Sequence, residues 1–480
     1  MSNAPTALAF PRPLGDPELE TLFQKARALR APADPETPEP GEGRIFVSIA
    51  AFRDPECQKT LVELFEKAAR PERISVGLVW QHDPVEDAAY FDLQPARRDQ
   101  VREMRLDWRD SLGVCWARFL AQAMWRGEEF YLQIDSHMKF EAGWDEILIE
   151  DLRACPSDKP LLTMTPPPYL TPGDTLSDLH PGILRTDGFL EDGSIRFTGL
   201  WLQEPLQRAV RLPFLLAGAL FGYGRTIADV PYDPYACFST EEISYALRLY
   251  THGFDVFAAP RRTMWHQYKR DNRVKRGAAP DARYTQRMGA WTTRAFHRFN
   301  HSTGHTLVLD APVLVDLDLF GLGEARTLAQ YEAYTGIDFR FKRVTEDCVR
   351  ARFVPDVETI AQFEVPVLDD PAERRPALVE AEEMLLREAL AAWETPRLVE
   401  ELVTLIIEFD RHRAARVDGA PQARLQPDRE KLIADFSTWD RYALACTLAK
   451  LSYAVHLMNA VKAAAESAGA PPRDGVAAAG

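Results

Sequence analysis

An aspartate and a histidine one residue apart close the apolar run Phe130-Tyr131-Leu132-Gln133-Ile134-Asp135-Ser136-His137. In extended chain, residues i and i+2 point the same way, so the Asp135 carboxylate and the His137 imidazole can converge on one point. One carboxylate oxygen and one imidazole nitrogen are a workable pair of ligands for Mn²⁺ or a similar divalent ion. Asp-x-His is a short pattern, and a capping Asp beside a solvent-facing His would satisfy it equally, so its surroundings decide its weight. Asp316-Leu317-Asp318 is a rival with metal-binding spacing. Its segment, Val313 to Leu319, alternates like an edge strand that turns both Asp side chains to solvent. Two further acidic sites stand out: Asp233, in the rigid turn Pro231-Tyr232-Asp233-Pro234, and the adjacent Glu241 and Glu242. The paired Glu reads as the start of a helix capped by Thr240, where the helix dipole favours carboxylates. Adjacent helical residues diverge, so only one of the two can face a cleft, and Glu242 is the preferred candidate.

These residues need a scaffold that ends its strands in one place. Arg44 to Ala50, Ile74 to Gln81 and Glu129 to Ile134 read as buried strands, while Asp54 to Ala69 and Asp110 to Trp125 have helical spacing. Strand and helix in alternation predict a parallel α/β sheet with helices on its faces. Such sheets bind ligands at the carboxyl ends of their strands, where Asp135 would stand. From about residue 161 to 235 the chain is rich in Pro and Gly and reads as loops around a site. Within it the small-residue run Ala217-Gly218-Ala219 would allow close backbone approach.

The ends differ in character. Residues 1–42 form a Pro-rich lead-in with one short helix candidate, Pro17 to Leu29. Residues 370–465 read as a helical module. Leu398, Leu402, Leu405, Ile406 and Phe409 mark one apolar stripe, opened by Thr395-Pro396; Leu444, Leu448, Leu451, Val455 and Met458 mark another; Leu378, Leu385 and Leu386 suggest a third. The stripes carry no polar cluster, so they predict packing or self-association, not chemistry. Residues 466–480 read as a disordered tail.

Composition narrows the class. A chain of 480 residues has room for two or three domains and a substantial core. The net charge of -15 argues against a general nucleic-acid binder, which needs a basic face. Cys57, Cys115, Cys155, Cys237, Cys348 and Cys446 lie far apart with no Cys-x-x-Cys pair, as expected of free thiols in a reducing compartment. There is no signal-peptide pattern and no apolar stretch of ~18 residues, so the expectation is a cytoplasmic chain without a membrane span.

Several blocks, in order, resemble the polypeptide N-acetylglucosaminyltransferases of glycosyltransferase family sixty. They are Ile45-Phe46-Val47-Ser48-Ile49-Ala50 with Phe52-Arg53-Asp54, Gly77-Leu78-Val79-Trp80-Gln81, Trp116-Ala117-Arg118 and Gln133 to Phe140. Pro231 to Pro234, Thr240-Glu241-Glu242-Ile243, Thr251-His252-Gly253-Phe254-Asp255, Trp265-His266-Gln267-Tyr268 and Gly323-Glu324-Ala325-Arg326-Thr327-Leu328 follow. Ser239-Thr240 stands before the paired Glu where the family usually has a Gly.

The resemblance implies a GT-A-type domain over residues 43–345 and retaining transfer of N-acetylglucosamine from UDP-N-acetylglucosamine to a hydroxyl of a protein or peptide acceptor. It implies a divalent metal, Mn²⁺ or Mg²⁺, on Asp135, His137 and His266, with His252 a weaker competitor placed to pack or cap. Ala50, Phe52 and Arg53 at the end of the first strand, with Asp83 after the second, would border the uridine; Arg118 would meet phosphate or the uracil pocket, and Asp135 would serve the donor through the metal. Glu242, Glu241 and Asp233 are the candidates on the sugar and acceptor side. Another UDP-sugar, a glycan or lipid acceptor, or a non-catalytic scaffold on the same fold are the alternatives, and the C-terminal helices offer a route to a homo-oligomer.

Overall fold

The structure is a computed structural model that describes residues 43–170, 174–190, 193–269, 281–305, 311–351, 390, 393–414, 429–438, 444 and 448. The lead-in with its Pro17–Leu29 helix, the Leu378 stripe, Leu451, Val455, Met458 and the tail lie outside the described residues. The chain divides into two compact units.

The first unit is built on an eight-stranded sheet. Its strands are β1 (Ile45–Phe52), β2 (Ile74–His82), β3 (Val101–Asp107), β4 (Phe130–Asp135), β6 (Pro160–Thr163), β11 (Val210–Leu212), β12 (Ala219–Tyr223) and β13 (Asp255–Ala258), in the order β11-β13-β6-β12-β4-β1-β2-β3. The shorter strands β5 (Met138–Phe140), β7 (Tyr169–Leu170), β8 (Thr175–Leu176) and β14 (Met264–His266), and the longer β9 (His180–Phe189) and β10 (Ile195–Leu202), pair outside it. This is the α/β class that the strand-helix alternation predicts.

Two expectations need correction. The sheet is mixed, because β12 runs antiparallel to both β4 and β6 and β11 antiparallel to β13. The stretch from 161 to 235 is also not mainly loop, since it carries β9, β10 and the central strand β12. Pro and Gly there mark turns and close approaches between short strands. Gly222, for example, lies where a Cβ would come within 2.6 Å of the Leu161 side chain.

Period-two alternation decides what reaches the site. Ile45, Val47 and Ile49 of β1 and Phe130, Leu132 and Ile134 of β4 point to one face. There they pack with Leu61, Leu64 and Phe65 of helix α1 (Cys57–Glu66) and Leu148, Ile149 and Leu152 of α3 (Trp144–Arg153). The alternate residues Tyr131, Gln133 and Asp135 face the other side, toward α2 (Val114–Gln122), whose Gln122 bonds Tyr131 and whose Arg118 bonds Asp135. Helix α2 is shorter than its periodicity suggests. Gly113 holds φ at +102°, outside the range of a helix, so the turn starts only at Val114. Strands β1, β2 and β4 run parallel, so Phe52, His82 and Asp135 finish at one edge of the sheet. That edge bears the site.

The second unit gathers a separate apolar cluster. Leu398, Leu402 and Ile406, on the helix Thr395–Ala414, are buried with Val313, Leu314, Leu317, Phe436, Leu444 and Leu448. The expected edge strand over Val313 to Leu319 is overturned: Ala311–Leu314 and Leu317–Phe320 are short helices. Val313, Leu314, Leu317 and Phe320 recur at helical spacing and are buried, and Asp316 is buried between the two helices while Asp318 is exposed. The period-two reading followed the charges and missed the apolar residues. Among the described residues no helix is long and apolar enough to cross a membrane, and Cys57, Cys115, Cys155, Cys237 and Cys348 are buried free thiols.

Candidate metal centre

β4 ends at Asp135, the chain turns through Ser136 and His137, and it leaves as β5. β5 pairs antiparallel with β14, which sets His266 opposite Met138. Residues that are 129 apart in sequence are thereby brought into contact: His137 Nε2 and His266 Nε2 are 2.9 Å apart. Asp135 Oδ2 lies 3.1 Å from His266 Nε2 and 3.9 Å from His137 Nε2. One ligand-type atom from each of the three residues lies within 4.8 Å of the others, and among the described residues no other trio of His, Cys, Asp or Glu is so arranged. Asp316 and Asp318 are not part of such a group.

The turn is held from several sides. The Thr60 hydroxyl on α1 donates to the Ser136 carbonyl (3.0 Å) and accepts from the Met138 N–H (2.9 Å). Asp54 Oδ2 sits 2.7 Å from His137 Nδ1 and accepts from Ser136 Oγ at 2.8 Å. An ionised carboxylate only accepts, so Asp54 draws the ring proton to Nδ1 and leaves the Nε2 lone pair aimed at the cluster. A carboxylate behind a histidine is how ligand imidazoles are commonly oriented. Asp54→Asn is therefore expected to lower Mn²⁺ affinity on the order of 10–100-fold, as titrated by calorimetry, with all three ligand residues still present. Three successive prolines guide the other imidazole. The Pro167 carbonyl accepts from the His266 N–H (3.0 Å), and Pro168 bridges to His266 in parallel.

Arg118 is the buried cation behind the cluster. Its guanidinium donates to Asp135 Oδ1 at 2.7 Å, to the Tyr232 hydroxyl at 3.2 Å and to Glu241. Burial alone would raise the Asp135 carboxyl, but the His266 bond and the Arg118 charge hold it well below the usual carboxylate range. Arg118 itself stays charged: burial opposes this, and the carboxylates of Glu241 and Asp135 outweigh it. Asp135 thus offers its second oxygen, Oδ2, toward the imidazoles.

The paired Glu divide as their adjacency predicts. Glu241 is buried against Arg118, and burial raises its carboxyl. Glu242 is half-buried on another side and accepts from the Ala217 N–H at 3.0 Å; burial pushes it up to about 7. The helix that carries them, α4 (Phe238–Thr251), has its cap three residues before the expected one. Cys237 is the N-cap and Thr240 the N3 residue, its hydroxyl accepting from the Cys237 N–H. His252 ends that helix with its ring Nδ1 2.7 Å from the Arg248 carbonyl, a cap and not part of the cluster.

Gly218 explains the small-residue run. Its carbonyl accepts from the Asp135 N–H at 3.0 Å, and a Cβ on Gly218 would stand 2.7 Å from Asp135 Oδ2. Gly218→Ala should push the ligand carboxylate off its position. The expected result is Mn²⁺ affinity reduced on the order of tenfold or more by calorimetry. Thermal unfolding should change little by comparison.

The remaining candidates are distributed along the same sheet edge. Ala50 is in register with Asp135 across β1 and β4. Phe52 lies against Trp108 and stacks on Tyr284 of the helix Ala282–Ser302, ring centroids 6.2 and 6.1 Å away. Arg53, in the left-handed backbone region at φ 46°, donates to Asp87 and Glu86. Asp83 accepts the Glu86 and Val85 N–H groups, Trp108 Nε1 and Arg109, and is held well below the usual range, chiefly by those backbone donors. Asp233 is buried in an ion pair with Arg298 at 2.7 Å and caps its own turn through Tyr235 N–H. Sequence reasoning gave no role to Asp54, Thr60 or Pro166-Pro167-Pro168. Asp54 closes the Phe52-Arg53-Asp54 block, but nothing local connects it to His137.

One protein-family model, described as "Glycosyltransferase (GlcNAc)", matches residues 44–93 and 89–341. Comparison with curated protein sequences finds no match. Among solved structures, a crystal structure of GalNAc-T7 with UDP, GalNAc and Mn²⁺ is 14% identical with a TM-score of 0.38, over 60% of this chain. The match spans 54% of that protein's chain, about half its length. Staphylococcus aureus TarS 1–349 in complex with UDP-GlcNAc is 13% identical, TM-score 0.32, over 54% of this chain and 75% of that one.

Proposed function

The chain belongs to the GlcNAc glycosyltransferase family, and from that premise we propose that it is a retaining, metal-dependent transferase moving N-acetylglucosamine from UDP-GlcNAc to a hydroxyl of a protein acceptor. The observation that carries this reading is the Asp135–His137–His266 cluster at the carboxyl edge of the sheet. A set of one carboxylate and two imidazoles suits Mn²⁺ better than Mg²⁺, which prefers oxygen ligands and keeps its waters. When bound, a dication there supplies charge to the departing diphosphate, stabilising the transition state more than the ground state.

The residues around the cluster then have definite tasks. Asp54 and Thr60 orient His137, the proline run orients His266, and Arg118 anchors Asp135. The edge formed by Ala50, Phe52, Arg53 and Asp83 borders the nucleoside; Arg53 and Asp83 act there as wall, since their side chains are already paired. Glu242 faces the sugar. Near neutral pH its raised carboxyl is present in both protonation states, so it can accept from or donate to a sugar hydroxyl. Glu241 acts through Arg118, and Asp233, tied to Arg298, shapes the turn. The GT-A-type transferase domain lies within residues 43–345, apart from the stretch with Val313, Leu314 and Leu317, which belongs to the second unit; that second unit packs or self-associates without catalysing.

Release of UDP from UDP-GlcNAc in the presence of Mn²⁺, followed by mass spectrometry of proteins labelled in a lysate, tests the proposal. Mn²⁺-dependent UDP release and a gain of one N-acetylhexosamine on a protein are the expected results. Release from another UDP-sugar only, or transfer to glycans or lipids alone, would redirect it to the alternatives.

A further inference from the structure

Behind Glu242 runs a chain of buried amides and phenols whose direction is fixed at both ends. The Tyr232 backbone N–H can only donate, so the Gln122 group that meets it at 2.8 Å is Oε1. The other end of that amide, Nε2, therefore points at the Tyr131 oxygen, 2.9 Å away. Tyr131 receives that proton and donates its own to Gln133 Oε1 at 2.7 Å. Gln133 Nε2 in turn donates to the Ala217 carbonyl at 2.6 Å and to the Tyr232 hydroxyl at 2.9 Å. A carbonyl can only accept, so the far end demands the same orientation as the near end. The side chains of Gln122, Tyr131 and Gln133 are fully buried, and in such surroundings each bond of a chain strengthens the next.

Ala217 stands between this chain and the site. Its neighbours are held separately: the Leu216 N–H donates to Thr163 Oγ1 at 2.9 Å, and the Gly218 carbonyl accepts from the Asp135 N–H. Ala217 itself is gripped at its carbonyl by Gln133 and at its N–H by Glu242. The aim of that N–H therefore depends on the amide behind it. Burial raises the Glu242 carboxyl, and the Ala217 N–H is the largest influence holding it back. The charged groups around it are Glu241 on its own helix, Arg118 on α2 and Asp135 on β4, and the Tyr268 phenol is near enough to feel the Glu242 charge.

We propose that Gln133 is a positioning residue for Glu242: its amide, aimed by Gln122 and Tyr131, holds the Ala217 peptide so that the N–H meets the Glu242 carboxylate. The task of Glu242 on the sugar rests on the transferase reading, so the test follows the carboxyl itself, without donor. Infrared difference titration of the full chain gives its midpoint, with the Glu242 band identified by its loss in Glu242→Gln. That midpoint, about 7 in the unaltered protein, should rise to about 8 in Gln133→Met, which keeps the length of the side chain and removes the amide. Tyr131→Phe, which frees the Gln133 carbonyl without removing the residue, should give a smaller rise in the same direction, and it decides the matter if Gln133→Met does not fold. In turnover, Gln133→Met should cost much less in a Glu242→Gln background than alone, because it acts through Glu242. A midpoint that stays put in the folded variants, or equal losses of turnover with Glu242 present and absent, would overturn the positioning role. A midpoint that moves in a protein that releases no UDP would instead remove the transferase reading and leave the role of Gln133 standing.

Discussion

Excess chelator is expected to abolish sugar transfer, and Mn²⁺ added back is expected to restore it. Each of Asp135→Asn, His137→Ala and His266→Ala should lower kcat on the order of 10²–10³-fold, the range corresponding to several kcal/mol of lost charge stabilisation. The His137 and His266 changes combined should cost little more than either alone, because ligands of one ion act as a unit. Binding of Mn²⁺, measured by calorimetry, should weaken as pH falls, since an imidazole must be unprotonated to be a ligand. Thermal unfolding of the metal-free variants should move little, as Arg118, Asp54 and Thr60 keep their other partners. Full activity of protein shown to be metal-free would end the metal reading, whatever the three substitutions did.

Arg118→Leu is expected to affect stability most. It removes the cation that faces buried Glu241 and anchors Asp135. Breaking a buried pair from one side costs about 3–5 kcal/mol, because the remaining charge loses its compensation. Urea denaturation should show the loss as a lower midpoint. The pH dependence has a definite sign. Burial already raises the Glu241 carboxyl, and loss of Arg118 raises it further. In acid the group is protonated in folded and unfolded chain alike, so the deficit should be small there. It should grow as pH rises past about 4.3, where the unfolded chain begins to ionise first. Adding Glu241→Gln should recover part of the stability by removing the stranded carboxylate. It should not recover turnover, since Asp135 would still lack its anchor. Recovery of both would mean that Arg118 matters only as the partner of Glu241.

Much of the sheet was legible in local pattern. β1, β2 and β4 appear close to where apolar runs predict them, because strands buried on both faces are marked by composition alone. β3 was missed: Val101–Asp107 carries four charged residues and lies at the end of the sheet, where one side pairs with nothing in the sheet. The short strands between 160 and 223 were hidden by the Pro and Gly residues that set their turns.

The sequence by itself determined that Asp135 closes a buried strand with His137 two residues on; because the chain bends at Ser136 and His137, their convergence belongs to the turn and not to period two. It also determined that Glu241 and Glu242 part company, because neighbours on a helix stand about 100° apart. It did not determine that Asp54 backs His137, that Arg118 joins Asp135 to Glu241, or that Gly218 must be bare beneath the Asp135 carboxylate. His266 was placed by resemblance; the contact itself exists only because β5 pairs with β14 across more than a hundred residues. Local periodicity records which face of an element is buried. Which distant face it meets is decided by the joint demands of burying apolar surface and pairing every backbone donor, and those are met only in the folded chain.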